Sequence, residues 1–70
     1  MPIVIAPSNS LLRVTKILTD EKTKKHLESL GITINSNLVL ISENGGNVII
    51  QVKESRLALD KTIAMKILVV

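Results

Sequence analysis

Seventy residues without a cysteine make one domain and exclude disulfides, thiolate metal sites and a cysteine nucleophile. The chain also lacks Phe, Tyr and Trp, so its core must come from ten Ile, ten Leu and seven Val, a composition that favours strands. Nine Lys and Arg against six Asp and Glu give a net charge of +3, which suits an acidic partner surface but does not by itself indicate nucleic acid.

The N-terminal segment Met1–Pro7 is apolar but too short for a signal sequence or a membrane span. Prolines bracket it, and proline cannot donate a hydrogen bond to a central strand. We therefore predict that residues 1–10 form an edge strand or an apolar tail on a single domain spanning residues 1–70. The lack of cysteine and of targeting signals is consistent with a cytoplasmic location.

The first main strand is predicted at Leu11–Leu18, where Leu12 and Val14 share one face. The alternation of apolar and polar residues breaks at Ile17-Leu18, which indicates a bulge or a bend before the next element.

A helix is predicted from Glu21 to Leu30. Asp20 is a suitable N-cap, and Gly31 suits the left-handed position that follows a helix. Its apolar stripe consists of Leu27 and Leu30 alone. We therefore expect one shallow side of the helix to pack on the domain and its lysines to face mostly water.

The remaining strands are predicted at 38–43, 48–53, 56–59 and 66–70. Asn44-Gly45-Gly46-Asn47 is typical of a hairpin turn, and Asp60 can cap a short helical turn at Lys61–Met65. Five short strands with one helix after the first and a helical turn before the last predict a mainly β fold, a small SH3-like barrel.

No residue set in the sequence indicates a reaction centre. His26 is the only histidine, and the acidic residues near it do not complete a metal site at helical spacing. The six carboxylates lie at turns and helix starts, where capping explains them. We therefore predict no catalytic, cofactor-binding or metal-binding residues and no enzymatic activity.

Several short motifs occur in a fixed order along the chain. Val14-x-x-Ile17 precedes Leu27-x-x-Leu30-Gly31-Ile32, and the C-terminal third contains Arg56-Leu57-Ala58-Leu59 and Ala64-x-x-Ile67-x-Val69. In this order and spacing they resemble the ferrous iron transport protein A family (FeoA), over nearly everything after Ser10. The chain departs from the family pattern at Asn35, where the family usually has Gly, and at Glu28, which replaces a common Leu.

The resemblance implies a non-enzymatic, cytoplasmic accessory protein of bacterial ferrous iron uptake. Such a protein would bind the ferrous iron permease or its cytoplasmic GTPase domain and would meet the membrane only through the permease. Basic residues that face water are the candidate partner-binding residues: Lys22, Lys24, Lys25, His26 and Arg13.

Two other functions fit the same barrel. One is an SH3-like interaction module that regulates a transcriptional repressor, and the other is a small RNA- or ribosome-associated barrel. The missing aromatic residues disfavour nucleic acid as a partner, because barrel modules usually stack bases on aromatic side chains.

Overall fold

Five strands, a nine-residue helix and a one-turn helix make up the fold. The computed structural model describes all residues, 1–70. A 3-10 helix (Ile3–Ile5) precedes the main elements, which are β1 (Leu11–Ile17), α1 (Glu21–Ser29), β2 (Asn37–Asn44), β3 (Asn47–Val52), β4 (Ser55–Asp60), α2 (Lys61–Ala64) and β5 (Ile67–Val69). The predicted mainly β, SH3-like architecture, with its helix after the first strand, is confirmed.

The strands form one antiparallel sheet in the order β4-β3-β2-β1-β5. Strand β1 pairs with β2 through Leu11–Arg13 and with β5 from Val14 onward. The β1–β5 pairing shifts register between Val14 and Lys16, which marks a bulge at Thr15. The bulge therefore lies before Ile17-Leu18, where the sequence predicted a bulge or a bend, and β1 ends at Ile17. Pairing with a strand far along the chain decides the position of the bulge.

The core consists of sixteen buried residues, all of them aliphatic. Strand β3 contributes Val48, Ile50 and Val52 from its inner face, as its alternation predicts, while Ile49 on the opposite face is half-buried. The helices and the N-terminal segment close the barrel with one or two buried side chains each, such as Leu27 from α1.

The N-terminal segment lies along β5. Ile3 is fully buried, and Pro2 forms an isolated bridge with Leu68. The Met1 amino group donates to the Val69 carbonyl at 2.9 Å, and the Met1 carbonyl accepts from the Val69 N–H at 2.7 Å. The segment is a short 3-10 turn held against the edge of the sheet, not a continuous edge strand.

Helix α1 ends in a left-handed glycine, as the sequence predicts. Gly31 has a φ of 92°, and its N–H donates to the Glu28 carbonyl while the Ile32 N–H donates to the Leu27 carbonyl. This pair of hydrogen bonds is the Schellman arrangement, which satisfies the last carbonyls of a helix. Asn35 has a φ of 73° and occupies the left-handed position where the family usually has Gly.

We expect Gly31→Ala to destabilise the fold by about 1–2 kcal/mol, because an L side chain is strained at positive φ. A Cβ at this position would also lie 3.3 Å from Cγ1 of Val52, closer than ordinary van der Waals contact. Urea unfolding followed by circular dichroism measures the loss. Gly46→Ala is the matched control, because its φ is not positive and its Cβ would meet no atom. An equal loss in both variants would contradict this explanation.

Candidate functional site

Helix α1 carries most of the predicted partner-binding residues. The Asp20 side chain caps it by accepting a hydrogen bond from the Thr23 N–H at 2.8 Å, and Glu21 follows in the first turn, where the helix dipole favours an acid. Leu27 is the only buried residue of the helix, and Leu30 just after it is half-buried. The helix therefore rests on the barrel by one narrow side, as predicted, and leaves the rest of its surface free.

The four predicted partner-binding residues on α1 differ in their exposure to solvent. Lys22, Lys25 and His26 are exposed and share one face of the helix, since residues three and four apart are neighbours there. Lys24 points to another side and is half-buried. The protein's only ion pair joins Lys61 to Glu43 at 3.2 Å, so none of the helix lysines has an acidic partner within the chain.

Arg13 lies apart from this helix face. It is exposed on β1, and its Nη1 donates to Oδ1 of Asn35 at 3.2 Å, in the turn before β2. No hydrogen bond or ion pair joins Arg13 to the four helix residues. The structure therefore divides the five predicted residues into a basic helix face and a separate arginine.

An open groove of about 450 Å³ lies beside Arg13. Its walls come from the glycine after α1, the turn before β2 and the strands β1, β2 and β3, and they combine apolar and polar residues: Leu11, Gly31, Asn35, Ser36, Asn37, Leu38, Val39, Gln51, Val52 and Lys53. Asn35 lines the groove and also accepts the Arg13 hydrogen bond.

Lys53 is the only charged residue that lines the groove, and it was not among the residues predicted from the sequence. It occupies the first position of the turn between β3 and β4 with a φ of 55°, unusual for a lysine. The Asn35-Ser36-Asn37 turn was predictable from its composition, but nothing in the sequence brings Lys53 to it.

Asp20, at the N-terminus of α1, has a lowered pKa. Hydrogen bonds from the side chain and then the backbone of Thr23 lower its pKa below the usual 3.8. An acid with a lowered pKa in the folded state stabilises the fold above its ordinary pKa, and this contribution disappears as the pH falls through the lowered value.

We expect Asp20→Asn to have a lower melting temperature than the natural protein at neutral pH, because the amide still caps the helix but lacks the charge that favours its N-terminus. The difference should shrink as the pH falls from 3.8 through the lowered pKa of Asp20, because the natural side chain then loses its charge as well. Thermal unfolding across this pH range is the measurement. A difference that stays constant down to the lowest pH would contradict the assignment.

No three His, Asp or Glu side chains come together in positions that could hold a metal ion. His26 stands alone on the exposed side of α1. No helix of the protein has both the length and the apolar character needed to cross a membrane.

Architecture and surface together define a small SH3-like β-barrel with dispersed basic side chains. A family model described as the FeoA domain matches residues 1–70. The chain belongs to the FeoA family, whose members are accessory proteins of ferrous iron transport.

Similar proteins agree with this assignment. A protein of Methanocaldococcus jannaschii named as an Fe(2+) transport protein A is 37% identical over 68 residues, which cover 97% of this chain and 83% of that protein. A crystal structure described as the iron uptake regulatory protein FeoA superposes with a TM-score of 0.87 at 23% identity, covering 99% of this chain and 93% of the other. The solution structure of iron(II) transport protein A from Clostridium thermocellum has a TM-score of 0.89 at 14% identity, covering 99% of this chain and 44% of the other. At these identities the two structures establish the shared fold.

Proposed function

We propose that the protein acts in the cytoplasm by binding the ferrous iron permease or its cytoplasmic GTPase domain, and that this contact modulates transport. The match of the whole chain to the FeoA family is the observation that carries the proposal. The relative from Methanocaldococcus jannaschii, named for Fe(2+) transport, supports it. A protein that acts by contact needs exposed recognition groups and no reaction centre, and the surface described above provides such groups.

The basic face of α1, formed by Lys22, Lys25 and His26, is the proposed contact surface, with Lys24 at its border. Its lysines have no acidic partner within the chain, so docking on an acidic surface breaks no internal ion pair. Complementary charge of this kind accelerates association and orients the two partners. Arg13 and the groove beside it would form a second, separate contact.

A titration of the isotope-labelled protein with the permease's purified cytoplasmic GTPase domain tests the proposal. Binding should perturb the amide signals of α1 first. The double substitution Lys22→Glu and Lys25→Glu should weaken binding by about tenfold or more, because two attractive charges become repulsive at the interface. Arg56→Glu is the control, since it reverses one cationic charge on a different element, β4.

Two other results of this titration would each show which part of the proposal is wrong. If neither the soluble domain nor the complete permease binds the natural protein at tens of micromolar, the proposed function is wrong. If binding occurs but the helix variant retains full affinity while signals around Arg13 and Lys53 change, the function stands and the helix is not the contact surface.

A further inference from the structure

The edge of the sheet formed by β4 is uncovered. Strand β4 is hydrogen-bonded to β3 alone, through six successive residue pairs without a register shift. Ala58 in its middle is exposed, and Leu57 remains half-exposed although it packs against the core. The opposite edge, β5, is covered by Met1 and Pro2. Edge strands are usually protected by proline, charged side chains or a bulge. Strand β4 has no proline and no bulge, and its two charged residues, Arg56 and Asp60, have opposite signs.

The register of the β3–β4 hairpin identifies the backbone groups that face outward. Val52 and Ser55 flank a two-residue turn, and such flanking residues exchange hydrogen bonds with each other. Hydrogen-bonded and non-hydrogen-bonded pairs then alternate along an antiparallel ladder. Arg56, Ala58 and Asp60 fall at the non-hydrogen-bonded positions with respect to β3. The N–H and C=O groups of Arg56 and Ala58 and the N–H of Asp60 therefore point toward the free edge, while the Asp60 C=O, at the N-cap of α2, accepts the first hydrogen bond of that helix.

We propose that β4 pairs antiparallel with β4 of a second copy of this chain, centred on Ala58. This register sets Arg56 of each copy opposite Asp60 of the other. Arg56 has no hydrogen bond or ion pair within the chain. Asp60 uses Oδ1 to accept the Thr62 N–H at 2.6 Å, which leaves its second carboxylate oxygen for the arginine.

The charges select this register over its neighbours. A slip of two residues in either direction removes both Arg–Asp pairs, and a slip of four sets Arg56 opposite Arg56 or Asp60 opposite Asp60. Like charges directly opposite each other destabilise a strand pair, and opposite charges stabilise it. The same strand sequence is therefore complementary to itself about a two-fold axis, which a symmetric dimer requires.

The dimer should be weak. Pairing of two six-residue strands buries much less than the roughly 1,200 Å² of a stable interface, so we expect a dissociation constant of about 0.1–1 mM. In the dimer, Leu57 of each copy would stand beside Leu59 of the other, which continues the apolar side of the sheet across the interface.

NMR diffusion and sedimentation equilibrium of the purified full chain test the proposal by measuring self-association. The concentration is varied from about 20 μM to 2 mM, a range that spans the expected dissociation constant. Concentration-dependent shifts should centre on the amides of Arg56, Ala58 and Asp60. Ala58→Pro should abolish dimerisation, because it removes an outward N–H without removing a bond to β3. Ala58→Thr, which retains that N–H, is the matched control and should still dimerise.

Charge reversal tests the register. Arg56→Asp should weaken the dimer at least tenfold by opposing acid to acid, and adding Asp60→Arg in the same chain should restore it. The doubly changed chain should pair with itself but not with the natural protein, where like charges would meet. Because Asp60 also caps α2, the amide spectrum must first show that this variant folds; Ala58→Pro tests the edge independently.

A natural protein that stays monomeric at the highest concentration overturns the proposal. So does a dimer that Ala58→Pro and Arg56→Asp leave intact, since it would use another surface. If the β4 edge binds only a strand of a different protein, the natural protein would stay monomeric, which overturns the proposal. The permease titration is repeated with Ala58→Pro, which should not self-associate and leaves α1 unchanged, so failure of one proposal is distinguishable from failure of the other.

Discussion

Replacing Ile50 by alanine is expected to remove much or all of the protein's stability. Ile50 is fully buried in β3, paired with Leu40 on one side and Leu57 on the other. Truncating a buried isoleucine to alanine costs about 2–5 kcal/mol, because the lost contacts leave a cavity. A domain of this size has a total stability of only about 4–10 kcal/mol. Urea unfolding followed by circular dichroism at 222 nm, a standard helix and strand signal, should show a much lower midpoint or no folded baseline.

Ile49→Ala is the matched control for this prediction. The same side chain is shortened one residue earlier on the same strand, but Ile49 lies on the opposite face and is half-buried. We expect it to cost about 1 kcal/mol, since solvent can fill part of the space. Equal losses at the two positions would mean that the inner face of β3 is not the centre of the core.

A Leu27→Ala variant is expected to release α1 from the barrel while the sheet persists. Leu27 is the only buried residue of the helix, so its truncation removes most of the contact that holds the helix in place. A nine-residue helix does not persist in water by itself, because helix nucleation is costly. Hydrogen exchange should show loss of protection at α1 amides, with protection retained in β2 and β3.

Leu30→Ala provides the comparison, because Leu30 has the same side chain one turn later and is only half-buried. It should leave most of the protection of α1 in place. If α1 lies on the partner, Leu27→Ala should also reduce binding of the GTPase domain more than Leu30→Ala does. Simultaneous loss of protection in α1 and the whole sheet would show that helix and barrel unfold as one unit.

Local rules predicted most of the fold. Alternating apolar residues indicated the strands. The carboxylates of Asp20 and Asp60 are suitable helix caps, and glycine and asparagine tolerate the left-handed conformation found at Gly31 and Asn35. These features depend on a few neighbouring residues, so the sequence contains the information needed to predict them.

Contacts between distant segments were predicted poorly. The bulge near Thr15 depends on where β1 meets β5, and the N-terminal turn depends on the burial of Ile3 beside β5. The separation of Arg13 from α1 depends in the same way on its contact with Asn35, twenty-two residues further along the chain. The lysines of α1 could be identified as exposed, but exposure alone does not distinguish a docking face from a solvated one.

The wholly aliphatic core has a practical consequence for the study of complexes. Without Trp or Tyr the protein contributes almost nothing to fluorescence excited in the near ultraviolet, so its own unfolding must be followed by other signals. In a mixture the same property is an advantage. Any change in tryptophan emission on adding this protein comes from the partner, and the partner's response can be read without labels and without subtracting a second emitter.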